Sequence, residues 1–173
     1  MEMKSTLTLI VGLPGVGKTT AAKILAQING GAILDSDVSR RELFPTERTY
    51  SSQETGQIIQ EVRKRTRKLL GQGKSVILDA LFTKQRARDE YRKLTEELKI
   101  NFQILEVVAD EEKIKIRMDK RQREGDVSEA NFAYYLDRKP HFEPEEEGIV
   151  IKNSKGFEEL ERSIKKTIPS TTQ

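Results

Sequence analysis

The chain has 173 residues, 35% of them hydrophobic and 34% charged, with a formal net charge of +3 at pH 7. That length suits one domain with a sizeable core, and the apolar run Leu7–Leu13 is too short to cross a bilayer and lacks a leader-peptide cleavage pattern. Without cysteine, disulfides, thiolate catalysis and cysteine zinc sites are excluded, and a cytoplasmic protein with no membrane partner is expected.

Thr6–Val11 reads as a buried strand, because apolar residues dominate a short β-branched run. It feeds Gly12-Leu13-Pro14-Gly15-Val16-Gly17-Lys18-Thr19, and Thr19 to Ile28, with Thr20 in its first turn, reads as a helix leaving the loop. The spacing is G-x-x-x-x-G-K-[ST], a complete phosphate-binding loop. Its glycines let backbone N–H groups point inward. Lys18 supplies a charge for the β- and γ-phosphates and Thr19 a hydroxyl for Mg²⁺. The helix N-terminus adds its own positive end. ATP and Mg²⁺ are therefore the expected cofactors.

Gly30-Gly31 breaks the chain, and Ala32-Ile33-Leu34 forms a short strand ending at Asp35-Ser36-Asp37. A helix is predicted from Val38 to Phe44, stopped before Pro45. Asp37 ends this strand and is a candidate base for an acceptor hydroxyl; the alternative is that it caps the short helix. Arg40 follows three residues later, faces the same way, and can grip an acceptor anion. A long helix then runs from Gln53, with Ile58, Val62, Thr66 and Leu69 on one stripe, to the stop at Gly71 and Gly73. Its Arg63-Lys64-Arg65 and Arg67-Lys68 read as a solvated face or a nucleic-acid contact.

Ser75-Val76-Ile77-Leu78-Asp79 is a third strand ending in an acid, suited to orienting Mg²⁺ or its waters, or to satisfying Lys18 or a backbone N–H. Thr83 is the expected cap of the next helix, which reaches Leu98; Phe102–Val108 is a fourth strand, and Asp110 caps a helix to Arg123. On that helix Arg117 and Arg121 are four apart and share a face, so they can close over a nucleotide or simply face solvent. A further helix is predicted for Ser128–Arg138. His141 lies in a loop, where packing is the simpler role; Ile149–Ile151 makes a fifth strand, and Phe157–Ile168 a last amphipathic helix. Alternating strands and helices predict an α/β fold, with a five-stranded parallel sheet flanked by helices in three layers. Its ligand belongs at the carboxyl ends of the strands. One domain is expected over residues 1–168, with a helical lid at about 111–144 and a disordered tail at 169–173.

Gly12–Thr19, Leu34–Arg40, Val76–Asp79, the Arg117/Arg121 pair with Asp126–Ala130, and Phe142-Glu143-Pro144 together resemble the small P-loop kinases. That group includes gluconate kinase, shikimate kinase, adenylate kinase, zeta toxin and the kinase domain of phage polynucleotide kinase. The resemblance extends from Leu7 to about Ile164. It implies an ATP- and Mg²⁺-dependent phosphotransferase with Asp37 as base, Arg40 contacting an acceptor phosphate, and Arg121 as the lid arginine. It also implies that Arg117 lies nearer the adenine and that Asn153 and Ser154 border the base. No second phosphate-gripping segment marks a nucleoside monophosphate as acceptor. A sugar, a small metabolite and a nucleic-acid end stay open as acceptors, and a hydroxyl of a small molecule is the first expectation. A polynucleotide 5′-hydroxyl end and a regulatory ATP-binding module with slow ATPase activity are the alternatives, and oligomeric state is not legible.

Overall fold

The computed structural model describes residues 5–125 and 130–168. The predicted tail at 169–173, and Asp126–Glu129 within the predicted lid, lie outside these residues. Five parallel strands, β1 (Thr6–Val11), β2 (Ala32–Asp35), β3 (Val76–Asp79), β4 (Asn101–Val108) and β5 (Ile149–Lys152), run in the order β2-β3-β1-β4-β5. The helices are α1 (Lys18–Asn29), α2 (Ser36–Leu43), α3 (Ser52–Gly71), α4 (Gln85–Leu98), α5 (Glu111–Glu124), α6 (Phe132–Arg138) and α7 (Phe157–Thr167).

Strand periodicity divides the core. Leu7, Leu9 and Val11 of β1 enter one apolar cluster with Ile58, Val62, Leu70, Tyr91 and Leu94, from α3 and α4. Ile10 enters the opposite cluster with Ile24, Leu25, Ile114, Met118, Leu160 and Ile164, from α1, α5 and α7. Successive side chains of one strand thus hold helices on both faces, the three-layer arrangement expected of βαβ crossovers. β1 pairs with β3 and β4 over its length, so the strand that carries the phosphate loop is central.

Three local readings are corrected. The buried stripe of α3 is Ile58, Val62, Thr66 and Leu70; Leu69 is only partly buried, because the series continues at four-residue steps. Thr83 does not cap α4. Lys84 occupies the N-cap, and the Gln85 N–H donates to Glu143 Oε2 at 2.8 Å, a carboxylate 58 residues away. Asp110 is the N-cap residue of α5 but makes no side-chain cap bond; its carboxylate pairs with Lys152 at 3.0 Å instead.

The two ends of the predicted lid are rooted in the body. Ile114 and Met118 at its start lie in the core. At its end, fully buried Arg88 donates to the Phe82 carbonyl at 3.0 and 2.8 Å, to the Glu143 carbonyl, and to Glu145 Oε2 at 3.3 Å. Buried Glu106 of β4 accepts from the Glu145 N–H at 2.7 Å. A buried arginine left without acceptors would be costly, so this segment is tied down by the charge it satisfies.

Candidate phosphoryl-transfer site

The carboxyl ends of β1, β2 and β3 bring together residues distant in sequence. Asp35 of β2 and Asp79 of β3 are register partners, and Asp79 also pairs with Ile10 beside the phosphate loop. α1 begins at Lys18 straight out of the loop, with Gly17 in the left-handed region at φ 102°. The loop has no room for side chains where it needs glycine. A Cβ on Gly12, at φ 151°, would collide with the Val107 carbonyl oxygen of β4, and one on Gly17 with Asn153 Nδ2. Gly12→Ala is therefore expected to cost about 1–3 kcal/mol through overpacking, lowering Tm by roughly 2–4 °C per kcal/mol. A thermal melt without nucleotide reads this directly.

Lys18 Nζ donates to the Leu13 carbonyl at 3.1 Å, folding its charge back over the loop. Burial pulls its pKa below the usual lysine value, against the opposing charges of Asp79 and Asp37. Thr19 Oγ1 donates to Asp79 Oδ2 at 2.5 Å. Burial pushes the Asp79 carboxyl upward despite that hydrogen bond and the nearby Lys18 charge.

α2 starts earlier than the predicted Val38, because Asp35 is its cap. Asp35 Oδ1 accepts from the Asp37 N–H at 2.7 Å and the Val38 N–H at 3.1 Å. Asp37 sits in the first turn of the helix and its carboxylate makes no cap. Its pKa is raised, first by desolvation and then by the Asp35 charge, with Lys18, Arg40 and Arg41 pulling the other way. Asp37 and Lys18 therefore lie within one another's field. Beside them a cleft of about 220 Å³ is lined by Thr19, Leu34, Asp35, Val38 and Ser39 among others.

Arg40 turns toward α3. Its Nη1 pairs with Glu54 Oε1, its Nη2 donates to Thr55 Oγ1 at 3.4 Å, and its guanidinium carbon lies 4.7 Å from the Tyr50 ring centre. Sequence reasoning passed over Glu54, although Ser51-x-x-Glu54 is a capping-box signature. The Ser51 hydroxyl does accept from the Glu54 N–H at 3.2 Å. The glutamate reaches back to the Thr49 N–H at 2.6 Å, the Thr49 hydroxyl at 2.9 Å and the Tyr50 N–H at 3.2 Å. Burial opposes its charge, yet the bonds from Arg40, Thr49 and Tyr50 prevail and hold its pKa down to about 2.

Across the loop, Arg117 Nη2 donates to the Asn153 carbonyl at 2.7 Å, and Asn153 Nδ2 donates to the Val16 carbonyl at 2.7 Å. Arg117, Asn153 and the phosphate loop thus form one hydrogen-bonded chain. Arg117 Nη1 is buried without a hydrogen-bond partner among the described residues. Burial, then the neighbouring Arg121 charge, lowers its pKa. Arg121 also acts on Lys18, so the paired arginines flank the loop. His141 ends a short 3-10 turn and is exposed, away from this chemistry.

Comparison with known proteins bears on the family and the fold. Residues 7–144 match the family described as AAA domain. An uncharacterised protein of Mycobacterium tuberculosis (strain H37Rv) is 32% identical over 99 residues, covering 51% of this chain; the match spans only 20% of that relative's length. A sugar kinase from Janibacter sp. HTCC2649 superposes with TM-score 0.64 at 21% identity, covering 92% of each chain. The Mycobacterium tuberculosis APS kinase solved with AMPPNP and APS gives TM-score 0.69 at 16% identity, over 94% of this chain and 96% of that one. The chain belongs to the AAA domain family, with the fold of the small P-loop kinases.

Proposed function

We propose that this protein is a cytoplasmic kinase that moves the γ-phosphoryl group of ATP to a hydroxyl of a small molecule. The observation that carries the reading is Asp37: a carboxylate in the first turn of α2, directly after β2 ends at Asp35, within the field of the phosphate-loop lysine and with its proton affinity raised by burial. Phosphoryl transfer asks the protein for positioning and charge more than for covalent chemistry. The backbone N–H groups of Gly12–Thr20 other than Pro14, together with Lys18, hold the triphosphate, drawing Lys18 from the Leu13 carbonyl. Asp37 accepts the acceptor's proton as its oxygen bonds to the γ-phosphorus and the bond to the β-γ bridging oxygen breaks, releasing ADP. The proton then passes from Asp37 to solvent. Arg121 offsets negative charge on the transferring group, and the orphaned Nη1 of Arg117 has a donor to offer on the adenine side, beside Asn153.

Thr19 and Asp79 are the residues that would hold Mg²⁺. Among the described residues no three carboxylate or histidine groups cluster as a metal cage. One hydroxyl and one carboxylate suit Mg²⁺, which keeps waters and takes its other ligands from phosphate. A bound cation would relieve the raised proton affinity of buried Asp79. When present it neutralises phosphate charge; Lys18 orients the triphosphate and Asp37 deprotonates the acceptor.

The pairing of α3 supports a small acceptor over a nucleic-acid end. Arg63 meets Glu90 at 3.3 Å, Arg65 meets Glu42 at 2.5 Å and Glu61 at 2.7 Å, and Arg67 meets Glu97 at 2.8 Å. These acids offset the arginine charge locally and so reduce the salt-dependent attraction that α3 offers a phosphate backbone, leaving Lys64 and Lys68 as its cations without an ion pair among the described residues. Incubation with γ-labelled ATP and Mg²⁺ over panels of small hydroxyl compounds and hydroxyl-ended oligonucleotides tests the reading. Labelled small molecule is the expected product. Labelled oligonucleotide alone would make the protein a polynucleotide kinase, and ATP hydrolysis without transfer would make it a regulatory ATPase.

A further inference from the structure

Given a kinase that phosphorylates small hydroxyl compounds, the surroundings of Arg40 bear on which of those compounds the site accepts. An arginine that grips an acceptor phosphate or carboxylate must present an uncompensated charge and an open edge of its planar fork. Arg40 presents neither. Its Nη1 edge is taken by Glu54, and the two side chains are only 11% and 4% exposed. The Tyr50 ring covers one face and Thr55 takes Nη2. Glu54 cannot swing aside, because the Thr49 N–H, the Thr49 hydroxyl and the Tyr50 N–H all donate to its other oxygen.

Neighbouring guanidinium groups do not replace it; the other cation on the cleft wall is Lys23, an exposed lysine of α1 that offers a point charge and no planar fork. Arg65, which borders the cleft, is held by Glu42 and Glu61. Arg41 donates to the Asp37 carbonyl at 3.3 Å, back into its own helix. The cleft's own carboxylates are Asp35 and Glu42, and Asp37 lies next to Asp35. An acceptor bearing a second negative charge would meet Asp35, Glu42 and Asp37 with the Arg40 charge already neutralised by Glu54, and like-charge juxtaposition is a strong means of rejecting wrong partners. What Arg40 retains is a buried Nε–H without a hydrogen-bond partner among the described residues. One neutral oxygen, of a hydroxyl or a water, satisfies such a donor.

We propose that the acceptor is an uncharged sugar or polyol, and that Glu54 is the positioning residue that enforces this by neutralising Arg40; the proposal rests on the kinase function. The glutamate touches neither nucleotide nor acceptor; it sets selectivity through the arginine it holds.

The test measures kcat/KM with γ-labelled ATP for five- and six-carbon aldoses and alditols, each beside its own aldonate and phosphate monoester. A neutral compound is expected to exceed its charged counterpart by about tenfold or more. In Glu54→Gln, which keeps the size and an acceptor oxygen for Thr49 and Tyr50, that ratio is expected to fall by about tenfold as the Arg40 charge is freed. A merely structural Glu54 would lower both rates together and leave the ratio unmoved, which would overturn its assigned role. The wild-type panel stands whether or not the variant folds. Preference for the aldonates or phosphate esters overturns the inference while leaving the kinase standing. ATP turnover with transfer to neither class overturns the kinase and the inference together.

Discussion

Lys18→Ala is expected to bring phosphoryl transfer to background, a loss of roughly 10³-fold or more, on the scale of removing a charge that offsets a transferring phosphoryl group. The loss should arise at the nucleotide and not in the fold. Lys18 carries a pKa depressed by burial, and its Nζ is satisfied by a single loop carbonyl. For a lysine with a lowered pKa, the charged form is disfavoured in the folded state, so its removal relieves a cost at neutral pH. The variant should melt at or above the wild-type temperature without ligand, and should lose the Tm increase that ATP gives wild type through mass action. A variant that melts normally and still transfers phosphate would remove Lys18 from the reaction.

Asp37→Asn is expected to cut turnover by roughly two to four orders of magnitude, the range of a general base, while ATP binding is nearly kept. The amide retains the shape of the carboxylate but cannot take a proton. Asp37 does not cap α2, since Asp35 does, so loss of helix stability is not a competing cause. The pH profile gives a second, independent reading. Because desolvation and Asp35 raise the Asp37 pKa above its ordinary 3.8, the acid limb of the rate should lie above that value and should vanish in the variant. The sign for stability runs the other way. A raised carboxyl contributes stability below its unfolded pKa, and that contribution is lost as pH rises through the folded value. Asn should therefore leave Tm equal or slightly higher at neutral pH. Unchanged turnover in Asp37→Asn would end its role as base and leave nucleotide capture alone.

Much of the fold and the site is legible in the residues because the governing interactions are local. The strand Thr6–Val11, the loop at Gly12–Thr19 and the helix from Lys18 lie in one run, and glycine spacing carries the requirement for close backbone approach. Asp37 and Asp79 can be assigned to one rim because parallel crossovers bring strand ends together; that Asp35 is the register partner of Asp79 is seen only in the structure. Where sequence reasoning fails, the missing partner is remote or nearly equivalent. Glu143 caps α4 from 58 residues away. Leu70, not Leu69, completes the α3 stripe, a choice between adjacent leucines that only packing makes. By its spacing Arg40 reads as an open hand for an anion, and nothing in its immediate neighbours reveals that Glu54 holds it.

The amino-acid sequence by itself determined the phosphate cradle, the alternation that makes the sheet parallel, and the acids at its rim, since each follows from spacing within one element or from chain order. Only the tertiary structure decided which charges remain available. Whether Arg40, Arg65 or Arg117 faces a ligand, a carboxylate or a carbonyl depends on helices packed from far along the chain. A charge acts through what surrounds it, and those surroundings exist only once the layers have assembled.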